Sequence, residues 1–114
     1  MQIERTGFWP WFLQRLTGLF LAVGMAVHMF ILPLKGGAVN FYSVHGRLQH
    51  AGWLIFDVLL LITCLYHGFN GLWAIILDYN PRLLWRKVLG YLMFVLGLLF
   101  LVYGIAALIP LVGG

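Results

Sequence analysis

Apolar residues fill three long stretches of this chain, and the polar residues gather between them. The stretches run from about Pro10 to Pro33, from about His50 to Asp78 and from about Leu84 to Ile109. At about 1.5 Å of rise per residue, each is long enough to cross a hydrocarbon core of roughly 30 Å. The pattern predicts three transmembrane helices. Pro10 suits a first helical turn, while Pro33 and Pro110 suit helix ends. Tyr79-Asn80-Pro81 closes the second stretch, and the polar, glycine-containing segment from Lys35 to about Gln49 reads as a loop. No repeat or low-complexity tract divides the chain. The expectation is one all-α integral membrane domain over residues 1–114, an up-down bundle of three helices.

Composition supports this reading. Of 114 residues, 63% are hydrophobic and 9% charged, and the mean hydropathy is +0.99. A water-soluble domain carries roughly 25% charged residues, so lipid is the main solvent here. The net charge of +4 comes from few residues, which cluster between the apolar runs or toward their ends. No basic stripe follows a helix, which points to anionic headgroups or a docked partner and away from nucleic acid. Cys64 is the only cysteine, so an intrachain disulfide is impossible, and it reads as a small buried apolar residue. The first stretch exceeds a signal-peptide core of roughly 7–15 residues. Ile31-Leu32-Pro33 offers no small-residue cleavage site, and the stretch reads as a retained span.

Charge also sets an expected direction. Arg5, Arg15, Arg82, Arg86 and Lys87 fall on one side of the alternating spans, with Lys35 and Arg47 on the other. The positive-inside tendency puts the N-terminus in the cytoplasm and the C-terminus outside. Trp9, Trp11, Tyr79 and Trp85 then belong to the cytoplasmic aromatic belt, and Tyr42 and Trp53 to the outer one.

Ionisable groups inside a span are costly and mark function. His28 and His67 lie well inside their helices, and Asp57 lies nearer the outer end of the second. Counted from the cytoplasmic ends, His28 sits at about 27 Å and His67 at about 18 Å, a difference of about 9 Å. One iron held between two histidines needs nitrogens only about 4 Å apart, with metal–nitrogen bonds near 2 Å. Two metals at two depths fit better, each completed by a partner. Gly71, Ala74 and Asp78 share the face of His67, and Thr17, Leu21 and Gly24 share that of His28, at about 100° per residue. Glycine one turn from a histidine leaves room for a flat macrocycle, and it equally serves helix packing in lipid. Each histidine alone could simply hydrogen-bond a neighbouring helix. Two of them, each flanked by glycine, point toward haem ligation. Neither histidine has around it the three or four cysteine, histidine or carboxylate ligands that a zinc site needs. His45 and His50, in or beside the loop, read as solvated or headgroup-facing.

Arg15 near the start of span one and Asp78-Tyr79 at the end of span two are expected at a similar depth. A tyrosine hydroxyl beside a carboxylate and a guanidinium could bind and protonate a quinone carbonyl. The simpler alternative is a snorkelling arginine, a capping aspartate and a belt tyrosine. Asp57 is expected to touch headgroups or water.

His67-Gly68-Phe69-Asn70-Gly71-Leu72-Trp73 with Asp78-Tyr79 resembles the H-x3-G-x6-D-Y signature of the succinate dehydrogenase small membrane anchor, the cytochrome b subunit. Arg15-Leu16-Thr17-Gly18 resembles the R-[ST]-G entry to the first helix of such anchors. The likeness covers essentially the whole chain. It implies that His67 is an axial ligand of haem b and that Asp78 and Tyr79 line the quinone site. It implies that Arg15 holds quinone or a haem propionate, and that His28 resembles the first-helix histidine of two-haem members. Trp11 stands where some anchors carry a serine, so a complete quinone site within this chain is not implied. The implied cofactors are haem b, two in number and shared with a partner chain, with ubiquinone or menaquinone as substrate. The implied partners are a second membrane anchor subunit, an iron–sulfur subunit and a flavoprotein subunit, in a complex that could form a higher oligomer. The implied location is the inner (plasma) membrane of a prokaryote, and the resemblance implies no catalysis by the chain on its own. Alternatives are an anchor of fumarate reductase, whose direction quinone potential decides, and a haem-free scaffold subunit. A small transporter would need broken-helix pairs that this chain lacks.

Overall fold

The structure, a computed structural model, describes residues 6–34 and 38–112; Arg5 and Lys35 of the charge count lie outside them. It is all-helical. Helix α1 spans Phe8–Leu34, α2 Phe41–Leu48, α3 Ala51–Asp78 and α4 Leu83–Val112. Three of these are long and apolar enough to cross a membrane, over Phe8–Phe30, Ala51–Asp78 and Leu83–Pro110.

The chain turns between α3 and α4 where expected. Tyr79 caps α3, Asn80 takes a left-handed backbone with φ 48°, and Pro81 follows. Asparagine tolerates that region better than most residues, and proline cannot continue the helix. Helix α4 does not stop at Pro110 but continues to Val112. A proline this near the end forfeits one hydrogen bond of the last turn, so the backbone can carry on past it.

The segment expected to be wholly loop contains α2. Asn40 accepts from the Ser43 backbone N–H, and Ser43 Oγ accepts from the Asn40 N–H, both at 3.0 Å, closing a reciprocal cap. Leu48, 2% exposed, anchors α2 against the bundle.

Helix α3 is the middle element, packed against α1 on one side and α4 on the other, with α2 folded onto α3 and α4. Partners across α1 and α3 run in opposite directions: Gln14 with Gly71, Gly18 with His67, Gly24 with Leu60, and His28 with Asp57. Across α3 and α4 the same holds for Trp73 with Gly90, Phe69 with Gly97, and Leu61 with Gly104. The neighbours are antiparallel. Several contacts depend on a missing side chain: a β-carbon at Gly24 would stand 2.8 Å from Leu60 Cδ2, and one at Gly104 2.7 Å from Leu61 Cδ2. Small residues let helices approach closely in lipid, where dispersion contacts drive association.

Little is enclosed. No more than 6% of any span window is buried, and Cys64, expected inside, is exposed. An apolar groove lined by Phe69, Met93, Phe94 and Gly97 runs between α3 and α4. Such a slab has its lateral faces open to lipid or to other membrane chains.

Candidate functional site

Two polar stations lie along the α1/α3 contact. At the first, His67 of α3 meets Thr17 and Gly18 of α1. Thr17 Oγ1 stands 2.6 Å from the Leu13 carbonyl oxygen and 3.2 Å from that of Gln14. Its single proton therefore goes to its own helix backbone, a common habit of helical threonine. The lone pairs of Oγ1 then face His67 Nδ1 at 3.0 Å, and Nδ1 donates. A neutral imidazole with hydrogen on Nδ1 keeps a lone pair on Nε2. Among the described residues, the hydrogen bond of this ring is the one at Nδ1. Gly18 makes the approach possible, since a β-carbon there would lie 3.2 Å from His67 Cε1.

One turn nearer the α1 N-terminus, Asn70 donates to the Pro10 carbonyl and to Gln14 Oε1, each at 2.9 Å. Gln14 also occupies the space over Gly71, where a β-carbon would be 2.8 Å from its Nε2. Gly24, with Leu60 over it, behaves likewise. Side chains of the facing helix therefore fill the space at both glycines that flank the histidines.

The second station lies at the α2 end. His28 Nδ1 is 3.2 Å from Asp57 Oδ1. Arg47, on α2, donates to the same carboxylate from both terminal nitrogens, at 2.8 Å to Oδ2 and 3.4 Å to Oδ1. The Asp57 and Arg47 side chains are each only 8% exposed, whereas that of His28 is 38% exposed. Asp57 thus does not simply face headgroups or water: α2 folds Arg47 back over the first turns of α3. An ionised carboxylate only accepts, so His28 donates from Nδ1, and in the neutral imidazole Nε2 then carries the lone pair. Histidine ligands of metals are commonly oriented this way by a carboxylate.

The stations are farther apart than helix-end counting gave. Thr17, which meets His67, lies eleven residues before His28, which is about 16 Å of helical rise. The expected difference was about 9 Å because both helices were counted from level ends. In fact Pro10 already meets Asn70, so α3 runs on past the start of α1. The same offset separates Arg15 from Asp78. Gln14, beside Arg15, meets Asn70, eight residues or about 12 Å of rise short of Asp78. Arg15 lies over the Trp11 ring at 4.2 Å and donates to the Trp11 carbonyl at 3.3 Å. Tyr79 is 83% exposed at the end of α3, beside an exposed Asp78. At the other end, His45 stacks on Phe41 with ring centroids 5.7 Å apart, and His50 is the exposed N-cap of α3.

Each histidine therefore offers one nitrogen. Among the described residues no group of three or more His, Cys, Asp or Glu side chains could enclose a metal ion. Sequence reasoning missed Arg47 and the His67–Thr17 contact. The signal for Arg47 was there: Asp57 within an apolar run requires a cation, and Arg47 lies ten residues before it.

The family model of the succinate dehydrogenase/fumarate reductase transmembrane subunit matches residues 2–103. Three similar curated proteins each carry the name succinate dehydrogenase hydrophobic membrane anchor subunit. That of Thermoplasma acidophilum is 32% identical over 82% of this chain and 77% of its own length. That of Archaeoglobus fulgidus is 28% identical, over 83% and 82%. That of Coxiella burnetii is 29% identical, over 67% and 65%.

Proposed function

The chain belongs to the succinate dehydrogenase/fumarate reductase transmembrane subunit family as a multi-pass membrane anchor, and we propose that it serves as half of two haem b sites and one wall of a quinone pocket. The observation that carries this reading is the paired orientation of His67 and His28. In both, Nδ1 is committed to a hydrogen bond inside the chain, and Nε2 is left able to ligate. The donor set fits haem iron, for which neutral imidazole is a strong axial ligand in a dry site.

When bound, haem b supplies one-electron storage; the protein's part is to hold and tune it. His67 and His28 would each hold one haem through a ring nitrogen, and a second membrane anchor subunit would complete each site. Gly71 and Gly24 act through the close helix approach that fixes the two rings in place. Arg15 is much nearer the level of His67 than that of Asp78, which favours a haem propionate over the quinone as its partner. Asp78 and Tyr79, at the end of α3, line the quinone pocket, where the exposed Tyr79 hydroxyl donates a proton to a quinone carbonyl. A flavoprotein subunit oxidises succinate, and an iron–sulfur subunit passes electrons to the quinone. Arg82, Arg86 and Lys87 at the same end meet that subunit or anionic lipid, on the cytoplasmic side of a prokaryotic plasma membrane.

Tyr79→Phe in the purified complex tests the quinone assignment. Succinate oxidation with a soluble electron acceptor stays at the wild-type rate. Quinone reduction falls by about a hundredfold, the low end of a positioned proton donor's contribution. Wild-type quinone reduction would remove Tyr79 from the pocket.

A further inference from the structure

We infer that Asp57 is a positioning residue for His28 and that Arg47 is its charge partner, so that together they fix the ring and tune a haem held by His28. The inference rests on the reading of His28 as a haem ligand, proposed above.

Three observations lead to it. First, the pair is enclosed, with both side chains 8% exposed, in a span with no other Asp, Glu, Lys or Arg before its last residue. Desolvating two charges is expensive, and a buried ion pair is weak evidence for stability alone. Second, the carboxylate is shared: Oδ2 takes the closer Arg47 bond at 2.8 Å, and Oδ1 faces His28 Nδ1 at 3.2 Å. A pair that only pinned α2 to α3 would have no need of a third group on α1. Third, α2 holds the arginine in place through its reciprocal Asn40–Ser43 cap and the buried Leu48. A helix only eight residues long is thereby locked so that its seventh residue reaches α3.

The consequence is electrostatic. A carboxylate accepting from a ligand imidazole makes it a stronger donor and favours the oxidised iron. The guanidinium beside it nearly cancels that charge at longer range. Removing the carboxylate alone leaves a bare positive charge near the haem, which favours the reduced iron. Removing both charges restores neutrality. The shift therefore follows net charge rather than the number of residues changed.

The test is redox titration of the haem spectrum in the purified complex. Asp57→Asn is expected to move the midpoint of the His28-dependent haem upward and to leave the His67-dependent haem where it was. Asp57→Asn combined with Arg47→Gln is expected to bring that midpoint most of the way back, and Asp57→Glu to hold it near wild type. If Asp57→Asn fails to retain the haem, the double variant is still expected to retain it. An unmoved midpoint in Asp57→Asn, or greater damage in the double variant than in the single one, overturns the inference. His28→Ala, run alongside, separates the two layers. If it keeps every haem signal, the ligand reading has failed; if it loses one while Asp57→Asn leaves the midpoint unmoved, only the present inference has failed.

Discussion

Thr17→Val is expected to weaken haem binding at His67 by about 10–100-fold, the usual cost of removing the group that orients a ligand histidine. Valine keeps the shape of threonine but offers His67 Nδ1 no acceptor. The ring loses the contact that fixes its tautomer, and its Nδ1–H is left without the partner it has at 3.0 Å. Helix α1 should remain helical, because the Thr17 hydroxyl proton already goes to the Leu13 carbonyl and supports no other helix. Thr17→Ser, which restores the oxygen, is expected to recover most of the affinity. Haem retention during detergent purification, read from the absorption spectrum, measures the effect. Equal retention in Val and wild type would show that the hydroxyl is not what orients the ring.

The second large effect is on stability. Arg47→Ala leaves Asp57 as a carboxylate 8% exposed, with only His28 to face it. Breaking one partner out of a buried ion pair costs about 3–5 kcal/mol, far more than the roughly 0–1 kcal/mol of a surface pair. Arg47 also lies over Trp53 at 5.4 Å, so its loss removes a packing contact as well. Helix α2 should detach, since Leu48 is then its main hold on the bundle. Arg47→Lys keeps the charge but not the two-pronged geometry and is expected to fall between. Thermal dissociation of the complex, with proteolysis at the α2 segment, reads the difference. A variant as stable as wild type would mean that Asp57 finds another partner.

The three spans were legible because lipid makes the requirement simple: every backbone group must be satisfied within its own helix, over about 20 apolar residues. Asn80-Pro81 was legible as a turn for the same local reason. What sequence could not give was register. Thr17 was assigned the correct face of α1 but the wrong histidine, because face follows from a period whereas partner depends on where α3 begins relative to α1. Helix α2 hid in a polar segment containing Gly46, although the Asn40–Ser43 spacing that caps it was present. Missing α2 meant missing Arg47, and without Arg47 an aspartate near a span end reads as wet. Gly24 and Gly71 show the remaining ambiguity: a glycine beside a histidine suits a macrocycle or a facing side chain, and only the packed helices show Leu60 and Gln14 there.

The central claim is that this anchor contributes one ligand to each of two haems at separate levels. The direct measurement is a haem count with reduced-minus-oxidised spectra on the purified complex, wild type beside His67→Ala and His28→Ala. Two haems per copy of the chain are expected in the wild type, with each variant losing one and the two losing different spectral components. Wild-type haem content in both variants, or a single haem that only His67→Ala removes, would contradict it.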